Sequence, residues 1–458
     1  MSMLNYWLDN SEVVKKAYSF IKKNHAGQKR ISGELYFDHA IKTAELVAKW
    51  KLDEASIAAA LLHDVIENTP VSLKEVEEEF GEEIVFLVNG VTKLKRVEYH
   101  SGRVTKAEVE NMRKFVLAIS KDIRVVLVQL ANRLCNMMTI DALLPEKQQQ
   151  IAAETMEIYA PLAYRLGMYS LSGQLDDLAF LIVYPQENQW LNDNVRERYK
   201  QREEYAKKIK PLIREELENS DVNIINVTSR AKRRASLYKK LLRYDMNLER
   251  IYDLVAIRCI VKTVEDCYAA LGIIHKKWAP VPNRIKDYIA LAKPNGYRSL
   301  HTTIFGPEEK IIELQIRTAE MHNEAENGIA AHWAYQQKKE TKHYKKTASF
   351  AVQQERIWTQ QLRNWQTKLT ADPDEFMRSF KIDFLEDRIF TLTPQGRVID
   401  LPRGSTPVDF AYQIHSEIGD SCTGARVNGK IMPLGRQLES GDMVEIMTQK
   451  IKNHPRTG

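Results

Sequence analysis

The sequence predicts a multidomain α+β protein: an all-helical first region, a mixed-sheet α/β second region and a small β-rich module. Three observations carry that expectation. Apolar residues recur at helical spacing, with few turn signals, from residue 1 to about 190. Strand-like alternation interleaved with helical runs begins near 222. Short strands separated by turn residues begin near 385. At 458 residues the chain is also too long for a single hydrophobic core.

Composition bounds the function classes. Hydrophobic content of 44% and charged content of 28% are those of an ordinary globular protein. A net charge of +6 is too small for a nucleic-acid coat, so local charge clusters matter more. Cys135, Cys259, Cys267 and Cys422 form no CxxC pair, which points to reduced thiols and a cytoplasmic home. The opening MSMLNYWLDNSE is no signal peptide, and no apolar run reaches membrane-spanning length, so no membrane partner is expected.

The helical region shows its period in 40–50, 55–65, 125–138 and 151–166, and a charged helix is expected over 196–219. Next, VNIINV reads as strand, SRAKRRASLYKKLL as helix, YDLVAIRCIV as strand and 266–278 as helix. A hairpin is expected from 297–305 and 311–317 through the turn GPEEK. A helix over 319–337, the basic connection KKETKHYKKTASF and a helix near 356–369 follow. RIFTLTPQG, RVIDLPRGSTPVDFAYQIH, GARVNGKIMPL and LESGDMVEIMT make the final module of short strands and turns.

The strand IIELQIRT carries the strongest functional signal. Its alternation puts Ile312, Leu314 and Ile316 on one face and Glu313, Gln315 and Arg317 on the other. A carboxylate, an amide and a guanidinium in a row exceed what a structural strand needs. RIKDY and PNGYRSLH lie upstream, and together these groups suit a metal-bound polyphosphate with a stacked base. Asp253 opens an apolar strand, where it is either a turn former or a metal ligand; Glu313 on a second strand supplies the partner oxygen that Mg²⁺ favours. Arg230, Lys232, Arg233, Arg234, Lys239, Lys240 and Arg243 occur with no acid between them, and Lys232, Ser236 and Lys240 are spaced to share a helical face. A solvated helix face and an anion site both account for that run. Tyr297, after a Pro-Asn-Gly turn, is either core or a platform for a base.

The run from about 222 to 335, with RIKDYIALAKPNGYRSLHTT, ELQIRT and EMHNEAENGIAAHW, resembles the synthetase domain of long RelA/SpoT homologues. Those proteins make (p)ppGpp by moving pyrophosphate from ATP to the 3′-hydroxyl of GDP or GTP. The resemblance implies residues 1–195 as a helical HD-type (p)ppGpp hydrolase-like domain and 196–340 as a nucleotidyltransferase-like synthetase domain with a leading helix. It implies 341–384 as a helical linker, 385–450 as a β-grasp TGS domain and 451–458 as a tail. Asp253 and Glu313 are then Mg²⁺ ligands, with Glu313 alternatively taking the 3′-hydroxyl proton, and Lys286 neutralises phosphate. Arg230, Lys232, Ser236 and Lys240 bind ATP; Tyr297, Asn295 and Gln315 bind guanosine. Ser229 stands where the family has Gly, and Arg233 where it has His. The basic loop Arg284-Ile285-Lys286-Asp287 is the type found in enzymes that both make and destroy the alarmone, implying acceptance of GTP as well as GDP.

In the first region, His39, His63, Asp64 and Glu67 resemble an HD phosphohydrolase site, with Arg30 in QKRISGELY as a substrate contact. That site holds Mn²⁺ on two His and two Asp. Here the pattern breaks. HDxxED becomes HDVIEN, so Asn68 replaces an assisting acid. ADRLHNMRT becomes ANRLCNMMT, so Asn132 replaces a ligating Asp while Asn136 and Thr139 match. An amide brings no charge to a hard divalent ion, so hydrolysis is expected to be absent or strongly impaired. The alternatives are a bifunctional synthetase and Mn²⁺-dependent hydrolase, a net alarmone hydrolase with an idle second domain, against which Asp253 and Glu313 argue, and a tRNA or ribosome sensor built on relic domains. In the last module His415 and Arg426 are the side chains to watch for contact with uncharged tRNA on the ribosome. Long family members continue past KNHPRTG into regulatory domains, so basal synthesis without ribosomal control is expected.

Overall fold

The computed structural model describes residues 3–95, 121–251, 253–293, 296–331, 388–439 and 441–449. They fall into two compact units, Met1–Phe376 and Met377–Gly458. The first unit opens with α1 (Met3–Asn10), α2 (Glu12–Asn24), α3 (Tyr36–Lys49), α4 (Glu54–Leu62), α5 (Val65–Asn68) and α6 (Leu73–Lys95). It continues with α7 (Arg124–Met138), α8 (Pro145–Glu154), a π-helical turn (Thr155–Tyr159), α9 (Ala160–Arg165), α10 (Tyr169–Val183) and α11 (Pro185–Glu218). Helix α4 is apolar on every side and buried from Ala55 to Leu62, as a helix at the centre of a layer must be. Asp53 caps it by accepting from the Ser56 amide, and its far end delivers His63 and Asp64 into the interior. Helix α7 is almost as deeply buried but carries Gln129, Asn132 and Arg133. Arg133 tolerates this because Glu154 pairs with it at 2.9 Å and the Tyr159 ring lies 3.9 Å from its guanidinium carbon.

The mixed sheet follows: β1 (Ile224–Ala231), α12 (Arg234–Arg243), β2 (Val255–Val261), α13 (Val264–Lys277), β3 (Lys286–Asp287), β4 (Leu300–Phe305), β5 (Ile311–Thr318) and α14 (Ala319–Asn327). Strand order is β1-β2-β5-β4-β3, with β2 and β5 parallel and the other pairs antiparallel. Val255, Ile257, Cys259, Leu314 and Ile316 bury one face against apolar residues of α11 and α13. The opposite face is polar, which leaves it for chemistry.

Local expectations shift in several places. Ser229 to Ala231, expected in a helix, pair with β2, so Arg230 is a strand residue and α12 starts only at Arg234. Pairing across the sheet overrides a weak helical pattern here. Lys232 therefore lies outside the helix, and only Ser236 and Lys240 share its face. Asp253 sits two residues before β2 rather than opening it, and Tyr297 precedes β4. Lys286 and Asp287, expected in a loop, form a short edge strand against His301 and Leu300. The charged helix starts earlier than expected, at Pro185, so position 195 falls inside it. The helix after β5 ends at Asn327, where Gly328 takes a φ of 55° against the Leu166 carbonyl. The expected helix near 356–369, the basic connection and Asn295 lie outside the described residues.

The second unit contains β6 (Arg388–Leu392), β7 (Val398–Pro402), α15 (Pro407–Ile414), α16 (Ser416–Asp420), β8 (Cys422–Val427), β9 (Lys430–Met432) and β10 (Val444–Thr448). A three-stranded sheet, β10-β8-β9, joins the β6-β7 pair through a bridge from Leu392 to Met443. PVDFAYQI, expected among strands, is helical because Asp409 accepts from the Thr406 amide and Phe410 fills the core. His415 is consequently the N-cap of α16. Its Nδ1 accepts from the Glu417 amide at the start of α16. Arg426 projects from β8 beside Glu445, at 3.7 Å.

Candidate active site

Sheet register builds the site. Paired residues on neighbouring strands share a face, so Arg230, Ala256, Glu313 and Thr303 form one row across β1, β2, β5 and β4. Thr228, Arg258, Gln315, His301 and Lys286 form the next row, which reaches β3. A cavity of about 190 Å³ opens on this face, lined by Arg230, Lys232, Ser236, Asp253, Glu313 and Gln315 among others. The two acids thus face one space from adjacent strands.

Each acid is prepared differently. Lys232 and Lys240 grip the two oxygens of Asp253 at 2.5 and 2.8 Å. Burial alone would raise its pKa, but the two ammonium groups outweigh it and hold Asp253 below the usual carboxylate range. Glu313 is also pushed up by burial and brought down by its donors. Gln315 Nε2 donates to Oε1 at 3.2 Å, and His301 Nδ1 lies 3.4 Å from the same oxygen. Burial keeps His301 below its ordinary pKa, so the imidazole serves as a neutral N–H donor and not as a cation. A pair of carboxylates beside surplus ammonium groups fits a magnesium–polyphosphate complex, the hard-oxygen chemistry this ion favours.

On the same face Arg258 escaped the sequence reading, whereas strand alternation had already placed Arg317 there. Arg258 is 8% and Arg317 1% exposed, and both reach Glu326 Oε1 at 3.3 Å. Arg258 Nε and Nη2 and Arg317 Nε have no hydrogen-bond partner among the described residues. Burial and the neighbouring Arg317 charge pull Arg258 down to about 10. The signal was present in VAIRCIV, where Arg258 falls on the opposite parity from Val255, Ile257 and Cys259. Tyr297 lies in an aromatic cluster, edge-on to Tyr169 at 5.3 Å and to Tyr288 at 6.1 Å, with the Lys293 ammonium 5.2 Å from its centroid.

Helix α10 of the helical layer touches both sides of this site. Its Asp177 accepts from the Ala235 amide at 3.0 Å and so caps α12, which carries Ser236 and Lys240. Asp176 pairs with Lys239 at 3.0 Å. Arg233 lies across Gly173, where an added Cβ would fall 2.3 Å from its Cδ, and donates to the Ser170 carbonyl.

The second cluster lies in the helical layer. Ligand atoms of His39, His63 and Asp64 lie within 4.8 Å of one another. His63 Nδ1 donates to the Ala60 carbonyl at 2.7 Å, which turns Nε2 toward the cluster. Asn132 Nδ2 donates to Gln129 and its Oδ1 accepts from Asn136 at 3.0 Å, so Oδ1 faces His39. His39 Nε2 is 3.1 Å from that oxygen and is therefore its donor. Arg30 reaches Asn136 Oδ1 at 2.6 Å, which ties the substrate-contact candidate to the same network. Asn68 donates back to the Asp64 carbonyl, Glu67 is exposed on α5 and Thr139 turns to the Cys135 carbonyl. Two imidazoles and one carboxylate fit a divalent ion; the fourth position offers a neutral amide already engaged by two donors.

A helical layer with a buried His–Asp cluster, a mixed sheet with a two-carboxylate cleft and a β-grasp module make a three-part architecture. Residues 17–169 match the HD domain model, 229–340 the region found in RelA / SpoT proteins and 388–448 the TGS domain. The chain belongs to the RelA/SpoT family. It is 46% identical over 446 residues to a GTP pyrophosphokinase from Myxococcus xanthus, covering 97% of this chain and 58% of that protein. It is 42% identical over 452 residues to a guanosine-3′,5′-bis(diphosphate) 3′-pyrophosphohydrolase from Aquifex aeolicus, covering 98% of this chain and 63% of that one. The chain therefore spans less than two thirds of either relative. Among solved structures it is similar to the small alarmone synthetase 1 from Bacillus subtilis bound to its product pppGpp: 25% identity, TM-score 0.25, covering 39% of this chain and 94% of that one. No described helix is long and apolar enough to cross a membrane.

Proposed function

We propose that the sheet domain makes (p)ppGpp, moving pyrophosphate from ATP to the 3′-hydroxyl of GDP or GTP. The observation that supports this most is that Asp253 and Glu313 line one cavity with Arg230, Lys232, Ser236 and Gln315. Arg230, Lys232, Ser236 and Lys240 bind ATP, with Arg230 near the adenine; Lys286 neutralises phosphate charge, and Tyr297 with Gln315 and Asn295 orients guanosine. Asp253 would hold Mg²⁺, which supplies charge neutralisation on the polyphosphate, and of the two roles open to Glu313, second ligand or proton acceptor, the reading takes the second. The 3′-oxygen attacks the β-phosphorus, the bond from that phosphorus to the α-phosphate oxygen breaks, and AMP leaves with the electron pair. The 3′-hydroxyl proton goes to Glu313, a role worth about 10²–10⁴-fold in rate. Glu313→Gln should abolish ppGpp and AMP formation from ATP, GDP and Mg²⁺ while leaving the melting temperature within a few degrees. Persistent synthesis by that variant would remove Glu313 from the mechanism.

For the helical domain we propose nucleotide binding with weak or no hydrolysis. A carboxylate at 132 would add the negative charge that the amide lacks, and an acid at 68 would restore the assisting pair. Pyrophosphate release from ppGpp with Mn²⁺ should be near background for the wild type and rise at least tenfold in Asn132→Asp/Asn68→Asp. Robust wild-type turnover would make the chain bifunctional instead. The β-grasp module, through His415 and Arg426, is the proposed contact for uncharged tRNA and the ribosome, and the proposed setting is the cytoplasm.

A further inference from the structure

We propose that His301 is a positioning residue for Glu313, and that the Tyr297 hydroxyl fixes the imidazole tautomer in which it does so. The inference deepens the synthetase reading above and rests on it.

The argument begins with register. His301 pairs with Gln315 and sits one row from Glu313, so its ring leans over the polar face toward that carboxylate. Nδ1 lies 3.4 Å from Glu313 Oε1, and Nε2 lies 2.8 Å from the Tyr297 hydroxyl. A neutral imidazole carries one proton, and two arrangements exist. With the proton on Nε2, a lone pair on Nδ1 would face a carboxylate, which is repulsive. With the proton on Nδ1, the ring donates to Glu313 and accepts the Tyr297 hydroxyl proton at Nε2, and all three groups are satisfied. The structure thus selects one tautomer without requiring a charge on the ring.

The ring plane is also held. Tyr288 packs edge-on to His301 with centroids 5.2 Å apart and planes at 88°, and Tyr297 does so at 5.7 Å and 80°. Other charged groups around the ring are Lys293 and Lys286, both cations. Neither accepts a hydrogen bond, so neither competes for the Nδ1 proton. Gln315 donates to the same Glu313 oxygen. With two donors on Oε1, the second oxygen of Glu313 is left for the cavity that it lines. A carboxylate held by two donors from its own sheet has one orientation in which to meet a hydroxyl. The 3.4 Å separation is long for a hydrogen bond, and catalytic contacts of this kind tighten when substrate binds.

The Tyr297 ring is the proposed platform for guanine, while its hydroxyl end orients His301. One side chain then links the base-binding position to the carboxylate that serves the ribose hydroxyl. This predicts a separation between binding and turnover.

The test is steady-state kinetics on four variants with ATP, GDP and Mg²⁺. His301→Ala should lower kcat about 10- to 100-fold, the cost of a misplaced catalytic group, with KM for GDP changed less than about threefold. His301→Asn places an amide Nδ2 where Nδ1 stood, and should recover kcat to within about threefold of the wild type. Tyr297→Phe keeps the ring and removes the hydroxyl, and should lower kcat severalfold without raising KM for GDP. Glu313→Gln is the reference. If the wild type forms no ppGpp, the synthetase reading itself fails; if Glu313→Gln stays active, Glu313 leaves the mechanism and the positioning role falls with it. If it is inactive while His301→Ala keeps full kcat, only the positioning role fails. Asparagine no better than alanine, or a loss expressed wholly in KM, also overturns the proposal. Should His301→Ala not fold, Tyr297→Phe and His301→Asn against His301→Leu give the same decision.

Discussion

Asp253 shows how much a single side chain can depend on its neighbours. Two lysines 2.5 and 2.8 Å away outweigh the burial that by itself would raise the carboxyl's pKa. Those lysines were visible in the sequence as cations without interleaved acids, but their aim was not, because the helical spacing suggested a shared face that Lys232 does not join. Glu313 was legible because strand alternation is a rigid rule: its parity alone separates it from Leu314 and Ile316. Arg258 and His301 were missed, since each looks like an isolated polar residue until register sets it beside Gln315. His322 gives a residue-scale prediction about pH. Burial first, then the Arg317 and Arg258 charges, hold it down to about 4 from the ordinary 6.5. The unfolded chain binds that proton near 6.5 and the folded one resists it, so stability falls as pH drops from about 6.5 toward 4. His39, held down to about 3 by burial and by His63, acts in the same direction. His322→Asn keeps an amide oxygen as the acceptor for Arg317, which donates to His322 Nδ1 at 2.7 Å, and removes the titration. Denaturant melts should show its acid loss reduced by on the order of 1 kcal/mol after solvent screening. An unchanged pH slope would exclude His322 as a contributor.

At the scale of elements, the strand–helix boundary after β1 decides what the basic run can do. Because 229–231 pair with β2, Arg230 projects from the sheet while Ser236 and Lys240 come from the helix, and the cavity opens between the two sources. Propensity alone reads the run as one helix; long-range pairing is what the local pattern cannot express. Helix α10 was legible as a helix, but its role as a cap for α12 was not, since Asp177 and Ala235 are 58 residues apart. Asp177→Ala removes that cap and leaves the Arg233 guanidinium, 3.6 Å away, without its carboxylate. The expected cost is about 1–2 kcal/mol of stability. Because α12 carries ATP-binding candidates, KM for ATP should rise severalfold while KM for GDP stays level. Thermal melts and initial rates check both, and an unaltered KM for ATP would mean that α12 holds its position without α10.

For the whole molecule, the order helical layer, mixed sheet and β-grasp module was readable because each has its own hydrophobic period and turn density. The helix in PVDFAYQI was not, because a capping box and one buried Phe410 set it against a background of short strands. The two proposed sites differ in their charge: the sheet site has two acids, while the helical site has an amide bonded to His39 where a second charge would stand. The fate of labelled phosphorus tests the central claim most directly. Supplied with Mg²⁺, GDP and ATP labelled separately at its α-, β- and γ-phosphorus, the protein should place the β and γ labels on the guanosine product and leave the α label in AMP. Label released as inorganic phosphate with ADP, or only the γ label on guanosine, would contradict a pyrophosphate transfer at the cleft between Asp253 and Glu313.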